Sequence, residues 1–255
     1  MTWPEVKERL KESQIAILCV GSTEAHGLHL PLDTDTFNVF GIAKLAAERV
    51  AEEVKPVIAP PIPFGYNTSE VIRNFPGTIT ISSITLKNLV KEVCASLIRH
   101  GFKKIVIMPG HGLNPPAIQI AMWELVDEYP DAYVVRLDWF LGFGGDIIRS
   151  VVETPMNHAC ETETSVYIGL GGEVEMDKAR RISPKSPSRY VSFDAYAPEP
   201  LVSAVGKPLE WAKLTNGIGG IHDPTKASKE KGEKIVNVLV DRLADFLREL
   251  KTINL

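Results

Sequence analysis

Short apolar runs alternate along this 255-residue chain with longer stretches of helical periodicity, and that alternation leaves few architectures open. Residues 15–20, Ile-Ala-Ile-Leu-Cys-Val, are apolar without interruption and read as a buried strand. A helix with proline in its opening turn is expected before it, at residues 4–12, and an alanine-rich amphipathic helix after it, at residues 36–53. Short strands are expected at 56–59 and 78–81. The proline-rich stretch 60–77 between them is too rigid for either element and reads as a long loop near a functional site. A helix over 85–100, stopped by Gly101, then leads to a strand at 104–108, a helix at 115–128, a strand at 133–137 and a closing helix at 226–250 with its charges outside. This order is the logic of an α/β fold built on a mainly parallel sheet.

The length suits one large core, so residues 1–255 are expected to form a single domain. A formal net charge of -4 argues against a nucleic-acid-binding face, which needs clustered positive charge. The basic residues in 7–11 and 226–234 are interleaved with glutamates, as on solvated helices. Three scattered cysteines offer neither a disulfide framework nor a thiolate cluster, and Cys160 reads as a small buried thiol rather than a nucleophile. The start of the chain lacks a basic segment followed by an apolar core, and no run of about 18 apolar residues occurs, so a soluble, cytoplasmic protein with no membrane partner is expected. Residues 173–219 are rich in proline, serine and aromatics without clear periodicity; they are expected to form a pocket wall or an inter-subunit contact. Gly-Phe-Gly-Gly at 142–145 lacks the spacing of a phosphate loop, and there is no Ser-His-Asp signature.

Metal chemistry is the sharper signal. Glu24, His26 and Asp35 follow the first strand within residues 21–35, and carboxylate oxygens and imidazole nitrogens suit divalent zinc, manganese or iron. Polar loops cap parallel strands in any case, so this segment alone leaves the matter open. The strand at 104–108 also runs into a histidine, His111, between Gly110 and Gly112. Further on, His158, Glu161 and Glu163 cluster within 157–165, where a helix would put His158 and Glu161 on one face. Open α/β sheets place ligands at the carboxyl ends of their strands, where the loops bearing Glu24, His26, Asp35 and His111 begin.

On these residues the chain resembles the creatininase (creatinine amidohydrolase) family of metal-dependent hydrolases. The resemblance covers nearly the whole chain and rests on Gly21-Ser22-Thr23-Glu24-Ala25-His26-Gly27 running to Thr34-Asp35, on Phe75-Pro76-Gly77-Thr78, on Gly110-His111-Gly112 with Asn114, and on His158-Ala159-Cys160-Glu161-Thr162-Glu163; Asp223-Pro224-Thr225 is a weaker match. It implies three α/β/α layers around a mainly parallel central sheet. It also implies two divalent metal ions per chain, zinc with manganese or iron as alternatives, bridged by Asp35. Glu24 and His111 match ligands of one ion and His26 a ligand of the other. In creatininase a glutamate stands two residues after the histidine of the third motif; here that position is Leu113, which binds no metal. Glu161 is expected to take over as ligand. Glu163 is then expected to face or orient the substrate, and His158 to move a proton or polarise the reacting group.

The implied reaction is metal-assisted hydrolysis of a carbonyl compound, an amide or cyclic amide in the first place, by a ring-like homohexamer acting on a small molecule. The resemblance also embraces keto-inositol ring-opening hydrolases, which break a carbon–carbon bond, and formamide deformylases. Two other readings stay open: an enzyme using one ion, and a non-catalytic metal-binding scaffold, against which His158 and Glu163 argue.

Overall fold

The computed structural model describes residues 1–67, 70–183, 185–186, 188–192, 194–196, 215 and 218–254. Four strands, β1 (Ile15–Val20), β2 (Val57–Ile58), β3 (Lys104–Pro109) and β4 (Tyr133–Arg136), form one parallel sheet in the order β2-β1-β3-β4. β1 and β3 are paired along their whole length, from Ile15 opposite Lys104 to Val20 opposite Pro109.

The apolar run that announced β1 is buried on both faces because helices cover both. Ile15, Ile17 and Cys19, with Val106 and Met108 of β3, face one core together with α2 (Thr34–Arg49), α6 (Gly145–Val151), α7 (Glu161–Gly169) and the long last helix (Lys229–Thr252). Ala16, Leu18 and Val20, with Ile105 and Ile107, face the other core with α4 (Ser83–Arg99) and α5 (Pro115–Glu128). Burying each such aliphatic side chain is worth about 1.5–3 kcal/mol, which makes β1 and β3 the most firmly held strands. The three-layer α/β/α sandwich is therefore the observed fold, and among the described residues no helix is long and apolar enough to cross a membrane.

Several boundaries differ from expectation for local reasons. α1 (Trp3–Glu12) is opened by a capping box between Thr2 and Glu5. The expected strand at 78–81 is reduced to isolated bridges, Thr23 with Ile79 and Gly65 with Thr80, and the loop before it carries the short α3 (Glu70–Asn74). The last helix begins at Lys229 rather than 226, because Ser228 caps it by accepting from Lys231 N and Pro224–Lys226 forms a separate 3-10 turn. α7 starts only at Glu161, so His158 lies in a turn ahead of the helix and not on a shared helical face. Much of 173–219, left without elements in the sequence reading, falls outside the described residues.

Candidate metal centre

The loops after β1 and β3 leave the same edge of the sheet. Gly110 N donates to Val20 O at 2.8 Å, and a Cβ on Gly110 would lie 2.3 Å from Asp35 O. Only glycine lets the exit of β3 press against the first turn of α2, where Asp35 sits. Asn114 stitches the two loops together: its Nδ2 donates to Val20 O and Gly21 O, and its Oδ1 accepts from Tyr66 N.

Three imidazoles are each tethered by one nitrogen to a backbone carbonyl. His26 Nδ1 donates to Glu24 O at 3.1 Å, His111 Nε2 to Tyr66 O at 3.0 Å and His158 Nε2 to Ala25 O at 2.7 Å. Tethering of this kind fixes the ring and turns the opposite nitrogen toward the site. His111 Nδ1 lies 3.1 Å from both Glu24 Oε1 and Asp35 Oδ2, His26 Nε2 lies 3.2 Å from Asp35 Oδ1, and His158 Nδ1 lies 3.4 Å from Glu24 Oε1. Glu24 Oε1, Asp35 Oδ2 and Glu163 Oε2 are buried, and among the described residues none accepts a hydrogen bond of good geometry. Orphaned carboxylate oxygens facing imidazole nitrogens in a closed site are stable only around positive charge.

Two triads can each surround a cation: Glu24, Asp35 and His111, and His26, Asp35 and Glu163, the donor atoms within each lying within 4.8 Å of one another. Asp35 belongs to both. A third grouping, Glu24, His26 and His158, overlaps them. The oxygen and imidazole donor set suits zinc or manganese. In the absence of such an ion, protons do the balancing. Burial opposes charge on His26, yet Asp35 beside it raises its pKa to about 10; burial likewise opposes charge on His111, but Glu24 and Asp35 hold it well above the usual value. Burial would raise Asp35, and the charge on His26 outweighs it and lowers the carboxyl. Burial lifts Glu163 to about 7, while burial and then the His26 charge push His158 down to about 4. His158 is thus the neutral imidazole of the group.

The family model described as creatinine amidohydrolase matches residues 1–247. The chain belongs to the creatininase family. It is 29% identical to a 3-dehydro-scyllo-inosose hydrolase of Thermotoga maritima, over 98% of this chain and 82% of that protein, and 28% identical to a creatinine amidohydrolase of Pseudomonas putida, over 98% and 95%. A solved creatininase mutant of the Zn-Zn type superposes with a TM-score of 0.80 at 26% identity, covering 99% of this chain and 97% of the other. The chain is accordingly a metal-dependent hydrolase.

Within this creatininase-family site the structure brings Glu24, His26, Asp35, His111, His158 and Glu163 together and leaves Glu161 out. The expectation for Glu161 is corrected on plain grounds. Its Oε2 accepts from Glu153 N, Thr154 N and Thr154 Oγ1, and its Oε1 accepts from Lys231 Nζ, so its side chain points away from the cluster with its oxygens already engaged. Glu163 stands instead with His26 and Asp35. His29, three residues beyond His26 in the same motif and given no role in the sequence reading, is buried and paired with Thr164 Oγ1 at 2.9 Å. The Tyr66 carbonyl that aims His111 had no side-chain signature to betray it.

A cavity of about 300 Å³ opens onto the cluster. Beyond the titratable groups its described walls are mostly apolar, with Ile72, Leu113, Phe140 and Met156, and Asn157 is the one neutral polar side chain among them.

Proposed function

We propose that this centre holds two divalent cations, zinc in the first place, one within Glu24, Asp35 and His111 and the other within His26, Asp35 and Glu163, and that it hydrolyses an amide-type carbonyl bond. The observation that carries the reading is the pair of donor triads sharing Asp35, with buried carboxylate oxygens turned toward tethered histidines. When bound, such a pair of cations lowers the pKa of water toward neutrality and polarises a carbonyl oxygen. The chain's own contribution is orientation and proton handling. His158 keeps Nε2–H on Ala25 O, which leaves Nδ1 to take a proton from the attacking water and pass it to the leaving nitrogen. Its depressed pKa keeps that nitrogen unprotonated at neutral pH.

The cavity walls favour an amide over a polyhydroxylated keto-inositol. Each ring hydroxyl of such a polyol needs a hydrogen-bond partner when buried, and the described walls offer four large apolar side chains. A compact lactam or other small amide has one carbonyl to satisfy at the cluster and carbon to lay against the walls. The test is hydrolysis by zinc-loaded protein of a panel comprising creatinine, simple lactams, formamides and a keto-inositol. Turnover of amides is expected, and turnover confined to the keto-inositol would replace this reading with ring opening.

A further inference from the structure

Glu161 lies two positions from Glu163, is fully buried, and has no part in the cation-binding triads. What it does hold is the segment that delivers His158. Residues 152–160 connect α6 to α7, and they carry Met156 and Asn157 of the cavity wall as well as His158. At the start of that segment, Glu153 N, Thr154 N and Thr154 Oγ1 all converge on Glu161 Oε2, at 3.0, 2.9 and 2.8 Å. The other oxygen takes Lys231 Nζ at 2.6 Å.

Lys231 is anchored in turn. It sits in the first turn of the last helix, where its backbone N donates to Ser228 Oγ, and its ammonium also donates to Glu153 Oε1 and Lys226 O. That helix is pressed against α7 so closely that a Cβ on Gly232 would lie 1.7 Å from Ser165 O. The carboxylate therefore ties a connecting segment to two closely packed helices.

The segment has reason to need a tie. Ala159, next to His158, holds a positive φ of 53°, a conformation that a residue bearing a Cβ adopts only when its surroundings enforce it. Ala159 is buried, and His158 O accepts from Ile221 N, so the turn is fixed at its far end as well. Between the two fixed points His158 Nε2 reaches Ala25 O and Nδ1 faces Glu24.

We infer that Glu161, clamped by Lys231, is a positioning residue: it fixes the start of the 152–160 segment so that the strained turn at Ala159 presents His158 to the metal cluster. A neutral amide at this position keeps the side-chain length but weakens the three donor contacts and loses the pairing with the ammonium. The segment would then relax at Ala159, and the His158 ring would lose its hold on Ala25. The inference rests on the proposed role of His158 at the reacting group, and its test uses no substrate, so a wrong choice of reaction leaves the result standing.

The experiment compares zinc-loaded wild-type protein with Glu161→Gln, reading zinc per chain by elemental analysis and the imidazole Nε2–H of His158 by proton–nitrogen NMR, assigned with His158→Asn. Zinc per chain is expected to match wild type. The His158 N–H, protected by Ala25 O in the wild type, is expected to exchange with solvent at least about ten times faster or to broaden beyond detection, the response of a local opening of the segment. Loss of one zinc equivalent would return Glu161 to the ligands and overturn the inference. Unchanged zinc with an unchanged His158 signal would overturn it too, since the tie would then be dispensable. Should Glu161→Gln fail to fold, Thr154→Val removes one donor at a half-buried position and Lys231→Met removes the ammonium; each is expected to shift the same resonance in the same direction by less, and no shift in either rejects the inference.

Discussion

Asp35 faces two histidines at once, His26 Nε2 from one oxygen at 3.2 Å and His111 Nδ1 from the other at 3.1 Å, and on the proposed function it is shared between two cations. Asp35→Ala is expected to lose at least one metal ion per chain while retaining the helical signal of the fold, with turnover down by more than the roughly 100-fold typical of losing a partner of a metal ligand. Elemental analysis checks it, and a full metal complement in the variant would contradict the shared role. Most of the candidate site was legible because Glu24, His26, Asp35 and His111 lie in short segments immediately after strands or at a helix start, where sequence position nearly fixes spatial position. The choice between Glu161 and Glu163 was not legible. Residues two apart on a helix point about 200° away from each other, so the answer turns on where the helix lies against its neighbours. What claims Glu161 is Lys231, 70 positions further along, and a sequence shows no such pairing.

Strands and helices themselves were readable from apolar runs and periodicity, as β1, β3 and α5 illustrate, whereas their ends were set by caps and by tertiary contacts. Lys104 shows how. As the first residue of β3 it reads as an ordinary polar boundary, yet it is buried and its Nζ donates to Leu250 O, Lys251 O and Ile253 O. These are carbonyls at the C-terminal end of the last helix, where backbone acceptors lack helical partners and the helix dipole favours a cation. The ammonium thus pins that helix to the edge of the sheet opposite the metal centre. Lys104→Met keeps the aliphatic stem and removes the donors, and should lower stability by about 1–3 kcal/mol. A thermal melt should show this as a fall of several degrees in Tm, and zinc content should not change because the site lies at the other end of β3. An unaltered melting temperature would mean that water replaces the ammonium without penalty.

The whole molecule couples its folding to the charge state of the centre. In the metal-free protein His26 is raised to about 10 from an ordinary imidazole value near 6.5, because Asp35 beside it outweighs burial, and His111 is raised well above its usual value. A raised folded-state pKa means that the stabilisation from protonated His26 is complete below about 6.5 and is lost as pH rises through about 10. Metal binding runs the other way. A cation takes the imidazole lone pair, so loading displaces the protons on His26 and His111, and affinity climbs with pH until those groups no longer need to be deprotonated. A ligand held by the native state alone stabilises it in proportion to the logarithm of its concentration over Kd. These are two views of one linkage: between about pH 6.5 and 8.5 the metal-free protein loses the stabilisation of its bound protons, and the zinc-loaded protein, whose ligating imidazoles carry none, gains on it. The gap in Tm between zinc-loaded and chelator-stripped protein should therefore widen steadily across that window, and calorimetric titration of zinc in buffers of different ionisation enthalpy should register proton release at neutral pH. A gap that stays constant, with no protons released, would show that His26 and His111 are already neutral before the metal arrives, and that something other than protons holds the buried carboxylates together.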